Sequence, residues 1–344
     1  MRSVSRSILF EICVYVCRFE GAVAHELEGA LIESGVVAIE IPGFSKVREA
    51  FLAAAHACVE EGGAASARLA DGTVRRSLAA RRVGGFKAPL EHFGECAGLD
   101  AAADVFRDAV WACAHTFGER LSAMMTGDDE ATAPLLRSVL NEDYATVAAV
   151  LERGEHLEHF HTYRKKKTEE LDASLALDAH TDQGLFVAFA PALSLDGAEA
   201  ARFAVELRDG ATADVDLERL ASCVVIMLGD GAEQFLNGRR VLAKKAQFRS
   251  APHSLEMRAS GDRAWFGLMV LAPADALEPT SNTSYGELRR LQRAADALAS
   301  TESTPPAVSA ACSRSLQRVD AREHSRRDIL SFRNSKLVIF LEWP

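Results

Sequence analysis

Positive charge is in short supply in this chain of 344 residues: 39 lysines and arginines stand against 49 aspartates and glutamates, a net charge of −10. A general nucleic-acid binder needs a positive surface to displace phosphate counterions, so no nucleic-acid partner is expected. Local basic runs such as Arg164 to Lys167 (RKKK) exist, and this one reads as a solvated loop after a strand. Paired Cys-x-x-Cys spacing is also missing from the 7 cysteines, at positions 13, 17, 58, 96, 113, 223 and 312. Their odd number and scatter favour reduced thiols over a disulfide framework or a structural zinc knot. No apolar run reaches the roughly 18 to 20 residues of a membrane span, so no membrane partner is expected either. The start, MRSVSRSILFEICVYVCRFEGAVA, has the arginines, apolar stretch and Ala22-Val23-Ala24 triplet of a weak signal sequence. Glu11 interrupts it, and with the cysteine pattern it leaves a cytoplasmic location as the expectation, a secretory or organellar route being the alternative.

What is present is ordinary globular material, 48% hydrophobic and 26% charged, enough for a sizeable core. Residues 1–24 read as an N-terminal extension and residues 25–150 as a mainly helical region with one early strand. There, LIESGVVAIEIPGF gives a helix end, a strand and a Pro-Gly turn. SKVREAFLAAAHACVEE follows as a helix with Ser45 placed for an N-cap, and DAAADVFRDAVWACAHTFGERLSAMM as another. Over residues 151–275 the period changes to short apolar and β-branched segments. They are separated by turn signals at Asp209-Gly210, Gly229-Asp230 and Asn237-Gly238. Many short strands without intervening helices predict antiparallel pairing in a sandwich or jelly roll. The fold class expected is therefore mainly β with helices. A C-terminal helix (SYGELRRLQRAADALAS), a linker-like TESTPPAVSAACSRS and an apolar SKLVIFLEWP fill residues 276–344. No internal repeat is visible, and nothing in the sequence speaks to oligomeric state.

The chemistry concentrates in LDAHTDQGLFVAF. Side chains on a strand alternate faces, so His180 and Asp182 point the same way and can reach one cation. Alone, the pair is weak evidence, and a solvated strand end explains it as well. His253, 71 residues beyond Asp182, is a candidate third ligand. Two histidines and one carboxylate leave three octahedral positions open, the arrangement of non-haem iron(II) oxygenases. A structural zinc would instead be closed by four ligands, commonly thiolates, and no cysteine lies near either motif. Ten residues past His253, Arg263 offers a bidentate fork for a carboxylate. The competing reading of Arg263 is a surface arginine at a strand start. In HFHTYR, His159, His161 and Tyr163 alternate onto one face. Histidines 156, 159 and 161 could suggest a second metal site, but a ligand-facing wall explains that face better.

Together these residues resemble the iron(II)- and 2-oxoglutarate-dependent oxygenases, in the branch similar to isopenicillin N synthase and the plant hormone and flavonoid dioxygenases. HTD, PHS and RAW stand where that family has His-x-Asp, a second His and Arg-x-Ser, and the likeness covers roughly residues 25 to 275. The resemblance implies a double-stranded β-helix core at 151–275. It implies iron(II) on His180, Asp182 and His253, with the distal carboxylate of 2-oxoglutarate on Arg263 and on the hydroxyl of Tyr163. It also implies oxygen as second cosubstrate, ascorbate as a possible stimulant, and hydroxylation, desaturation or cyclisation of a small-molecule substrate. Two departures stand out. Trp265 replaces the usual serine, removing a hydroxyl and adding bulk, and His161 replaces the usual asparagine. They leave room for an oxidase that uses iron and oxygen without 2-oxoglutarate, and beyond that for a non-catalytic jelly-roll binding protein. Phe186, Phe189, Phe248 and Phe266 are candidates for the substrate pocket, core packing being the alternative. Gly184 reads either as a close backbone approach near the metal or as a simple bulge.

Overall fold

The computed structural model describes residues 16–17, 24–61, 65–69, 71–88, 99–125, 134–165, 175–195, 201–242, 245–257 and 261–302. Apart from Val16–Cys17 and Ala24, the signal-like start lies outside these residues, as do the linker-like segment beyond Glu302 and the terminal SKLVIFLEWP. The chain divides into two compact units, Met1–Gly286 and Glu287–Pro344. The described part of the second is helical, with Arg290 bonded through two nitrogens to Glu287.

In the first unit, β1 (Val16–Cys17), α1 (Ala24–Glu33), β2 (Val36–Glu40), α2 (Phe44–Glu61), β3 (Ala65–Arg68), β4 (Val74–Val83), β5 (Phe86–Lys87) and α3 (Leu99–Met125) come first. Next are α4 (Val147–Arg153), β6 (Glu155–Lys165), β7 (Leu177–His180), β8 (Phe186–Leu195), β9 (Arg202–Glu206), β10 (Thr212–Val215) and β11 (Cys223–Leu228). Then follow α5 (Asp230–Phe235), α6 (Asn237–Leu242), β12 (His253–Glu256) and β13 (Gly261–Val270), while α7 (Tyr285–Glu302) belongs to the second unit from Glu287 on. The larger sheet runs β1-β2-β11-β8-β13-β6-β4-β3, with β5 beside β4, and the smaller β10-β9-β12-β7. All pairings are antiparallel except β1 with β2.

One face of the larger sheet is covered by helices. Phe51 of α2 and Phe106 of α3 meet Phe266 edge-on at centroid distances of 5.9 and 5.0 Å, and Phe117 meets Phe186 at 5.1 Å. The other face packs on the smaller sheet: Val187, Phe189, Val225 and Met227 share a cluster with Phe203 and Val205. Burial on both faces is why β11 (CVVIML) and the first half of β8 are continuously apolar rather than alternating. Consequently Phe186 and Phe266 are core of the helical face. Phe248 lies under the Arg240 guanidinium at 3.9 Å, so of the four pocket candidates only Phe189 faces the space between the sheets.

Several expectations need correction. The region of residues 25–150 has more than the one early strand expected, because β3, β4 and β5 follow β2 and the ten-residue β4 pairs along its whole length with β6. Its face carries Arg75, Ser77 and Ala79 rather than large apolar residues, which hid the strand period. Ser45 lies inside α2, its hydroxyl bonded to Glu49. Asn237 opens α6 rather than forming a turn, and its side chain both accepts from the Phe248 N–H and donates to its carbonyl. Arg164 and Lys165 are strand residues rather than loop: they close β6 by pairing with Asp262 and Asp71, Lys165 nearly buried and Arg164 partly exposed. Arg164 in turn holds the Asp262 carboxyl below its usual range. Cys113 and Cys223 are buried reduced thiols, but Cys58 is disulfide-bonded, against the expectation of reduced thiols throughout. Among the described residues no helix is long and apolar enough to cross a membrane.

Candidate metal centre

His253 opens β12 and lies directly across from His180, the last residue of β7, with ring centroids 4.3 Å apart. Asp182 is not on that strand, as alternation suggested, but in the loop just beyond it, and its carboxylate stands 4.0 Å from His253 Nε2. One ligand atom from each of His180, Asp182 and His253 lies within 4.8 Å of the others, and among the described residues no fourth ligand-type side chain joins them.

The Asp182 loop is held by glycines. Asp230 N–H donates to the Asp182 carbonyl at 2.7 Å and Gly231 N–H to that of Gly184 at 3.0 Å. A Cβ on Gly229 would fall 2.4 Å from both carbonyl oxygens. Gly184 also makes a close approach, but to Val270 O and the Met269 side chain at the end of β13, not to the ligand cluster. The segment before His253 is pinned by Glu233, which accepts from both the N–H and the hydroxyl of Ser250.

Second partners orient both imidazoles. His180 Nδ1 meets the Asp178 carbonyl at 2.7 Å and His253 Nδ1 the Ala251 carbonyl at 3.0 Å. A carbonyl only accepts, so each Nδ1 carries the proton and each Nε2 keeps a lone pair for a cation. Burial, opposed in part by Asp182, lowers the His253 pKa and favours this neutral form. Two neutral imidazoles and a carboxylate converging on one point fit iron(II), whose preference for such a three-ligand set is the chemical test here.

Tyr163 and Arg263 lie opposite each other on β6 and β13, Arg263 Cζ 5.8 Å from the Tyr163 ring centroid. Arg263 is 6% exposed, its Nη1 is buried without an acceptor, and burial lowers its pKa to about 10. It is therefore not a surface arginine. Burial raises the Tyr163 pKa, while Arg75 and Arg263 pull it down and Asp182 adds a smaller upward push. That coupling links this row to the ligand cluster.

Trp265 stacks on His161 at 5.3 Å with planes 5° apart. Its ring lies over Gly267, where a Cβ would come within 2.3 Å of it. Opposite Trp265 the β13 to β8 register slips past Pro191 and Ala192, and the carbonyls freed there accept from the buried Arg48 at 2.7 and 3.0 Å. Proline cannot donate to a ladder, so it sits at such a bulge. The bulk of Trp265 is thus directed along the strand, away from Arg263. His161 is half-buried with its Nδ1 enclosed, and desolvation holds its pKa well below the usual imidazole range. Histidines 156, 159 and 161 do not form a second cluster. His156 is on the opposite face, one ring nitrogen on the Leu151 carbonyl and the other accepting from Leu271 N–H. Sequence reasoning missed Arg75, which β4 places beside Tyr163; the Asp71-Gly72 and Gly84-Gly85 turn signals around it would have bounded the strand.

No family model matches the chain, and no curated protein matches it in sequence. Solved structures do. A Shewanella oneidensis protein described as an oxygenase is 15% identical and superposes with a TM-score of 0.57, over 81% of this chain and 98% of that one. JOX2, crystallised with 2OG, Fe and JA, is 12% identical at a TM-score of 0.58, over 80% and 82%. AtDAO1 of Arabidopsis thaliana, a dioxygenase for auxin oxidation in complex with 2-oxoglutarate, is 12% identical at 0.56, over 79% and 98%. The fold is that of the 2-oxoglutarate and iron(II) oxygenases. Within this oxygenase fold the His-Asp-His cluster and the Tyr163 and Arg263 row share the space between the two sheets.

Proposed function

We propose that this chain is a non-haem iron(II) oxygenase that uses 2-oxoglutarate and oxygen to oxidise a small molecule. We read its two facing sheets as the halves of a double-stranded β-helix, or jelly roll. The observation that carries the reading is the open cluster of His180, Asp182 and His253, three ligand-type groups with both histidines presenting Nε2. When bound, iron with the keto acid supplies the oxygen chemistry, in which 2-oxoglutarate is decarboxylated to succinate and a substrate C–H bond is oxidised.

The chain's own residues do the positioning. The Asp178 and Ala251 carbonyls fix the two imidazoles, and Asp182 brings the negative charge that a divalent cation needs. Arg263 and Tyr163 would take the distal carboxylate, which gives the buried Nη1 its missing acceptor. Phe189 and Phe203, the latter 5.4 Å from His253, keep that side of the cluster dry. An oxidase working without 2-oxoglutarate would leave Arg263 buried and unmatched, so the keto-acid reading is favoured.

The test is anaerobic titration with iron(II) and then 2-oxoglutarate, reading iron uptake and the weak visible charge-transfer band of a chelating keto acid. Succinate formation with ascorbate present is measured afterwards. Wild type takes up one iron and makes succinate, while Asp182→Ala and His253→Ala do not bind iron. Iron uptake with no band and no succinate would favour the oxidase, and no uptake at all would leave a binding protein.

A further inference from the structure

Arg75, Tyr163 and Arg263 form one transverse row across β4, β6 and β13, since both arginines are register partners of Tyr163. Neighbouring strands stand roughly 4.8 Å apart, so the two arginine Cα atoms are about 10 Å apart with the phenol between them. All three side chains are on the face turned toward the smaller sheet. Tyr163 belongs to a cluster with Leu255 and Met257 there, and the guanidiniums of Arg75 and Arg263 both pull its pKa down against the effect of burial. The row is short of acceptors. Arg75 Nε and Arg263 Nη1 are both buried with nothing to donate to, and no carboxylate among the described residues pairs with either guanidinium. Two guanidiniums, Arg263 buried and Arg75 half-buried, each with an enclosed and unmet donor beside a phenol, call for an anion from outside the chain.

We propose that Arg75 is a second anchoring residue for the distal carboxylate of the keto acid, gripping it from the β4 side while Arg263 grips it from β13. The proposal rests on the 2-oxoglutarate reading above and adds a contact to it. A carboxylate has about four lone-pair sites, enough for the Arg263 fork, the Tyr163 hydroxyl and one N–H of Arg75. Trp265 has its ring over Gly267 and brings no hydroxyl to this row, and Arg75 supplies a donor in its place. The excess positive charge also makes the site discriminate against keto acids that lack a second carboxylate.

The test is calorimetric binding of 2-oxoglutarate and of 2-oxobutyrate, which has no distal carboxylate, to the Co(II)-loaded full chain. Wild type, Arg75→Gln, Arg75→Lys and Arg263→Gln are compared. Arg75→Gln is expected to weaken 2-oxoglutarate by roughly 10- to 100-fold, the size of one charge-assisted hydrogen bond, with Arg75→Lys in between. Its binding of 2-oxobutyrate stays at the wild-type level, which also shows that the variant is folded. If Arg75→Gln binds 2-oxoglutarate as wild type does while Arg263→Gln loses it, the role of Arg75 is overturned and the keto-acid reading survives. If wild type binds both keto acids equally, the anchor as a whole is overturned, Arg263 included. Equal losses for both keto acids in Arg75→Gln would mean a structural arginine and would overturn the proposal too.

Discussion

Glu158→Gln should unfold this protein at a much lower temperature although it lies on the far face of β6 from Tyr163. The Glu158 carboxylate is 2% exposed and sits between two guanidiniums as buried as itself, Arg82 Nε at 2.8 Å and Arg107 Nε at 2.5 Å. The three groups tie β4, β6 and α3 together. Among the described residues the other acid on Arg82 is Asp108, at 3.9 Å and 61% exposed, too distant and solvated to replace it. Glutamine keeps the volume but removes the charge and turns an NH2 toward a donor, leaving two buried cations uncompensated. Breaking a buried pair in this way costs about 3–5 kcal/mol. At about 2 °C per kcal/mol for a unit of this size, the midpoint falls by roughly 6–10 °C. Scanning calorimetry reads it directly, and a midpoint within 2 °C of wild type would refute the reasoning. A second variant isolates the cause: with Arg82→Met, Arg107→Met and Glu158→Leu combined, no charge is stranded and stability should return near or above wild type. A triple variant as unstable as Glu158→Gln would mean that packing, not unpaired charge, is responsible.

Three further outcomes follow from the same geometry. His156 is neutral, with a pKa lowered to about 4 chiefly by burial, against roughly 6.5 when unfolded. Between those values the unfolded chain binds a proton that the folded one does not. Stability is therefore complete above pH 6.5 and falls by about 3 kcal/mol as pH drops to 4, and urea midpoints across that window should lose much of this slope in His156→Gln. Gly229→Ala puts a methyl 2.4 Å from the Asp182 and Gly184 carbonyls. It should weaken iron(II) binding by roughly 10-fold or more through the displaced loop, read by competition with a chelator. Trp265→Ser should cost about 3 kcal/mol in urea unfolding yet leave 2-oxoglutarate affinity within about threefold, because the indole stacks on His161 and covers Gly267 rather than Arg263.

How much of this was legible in the sequence depended on whether a strand had to hide apolar side chains. β8 and β11 lie between two layers, so their composition announced them. β4 was hidden because its inward face serves a polar row, and Val74, Leu78 and Val83 alone do not make a period of two. His180, Asp182 and His253 were found through spacing, since β7 and β12 are far apart in sequence and adjacent in space. What spacing could not show was that Asp182 leaves the strand, or that Gly184, Gly229 and Gly231 hold it there through carbonyl contacts closer than any side chain allows.

Trp265 is where reasoning from sequence and from structure part most clearly. As a substitution for serine it argues against an ordinary keto-acid pose, since a ring has replaced a hydroxyl. In the fold, the indole lies flat along β13 over a glycine, faced by the stacked His161 on β6 and by the Pro191 bulge on β8. The departures at 161 and 265 are thus one packing unit, two rings stacked in the row next to the arginines. The loss of the hydroxyl matters only if nothing else donates to the anion, and Arg75, one row away beside Tyr163, has a buried N–H free to do so. A residue-by-residue comparison counts two losses at the site, whereas the three-strand row contains a compensating gain that lies in a strand the sequence did not reveal.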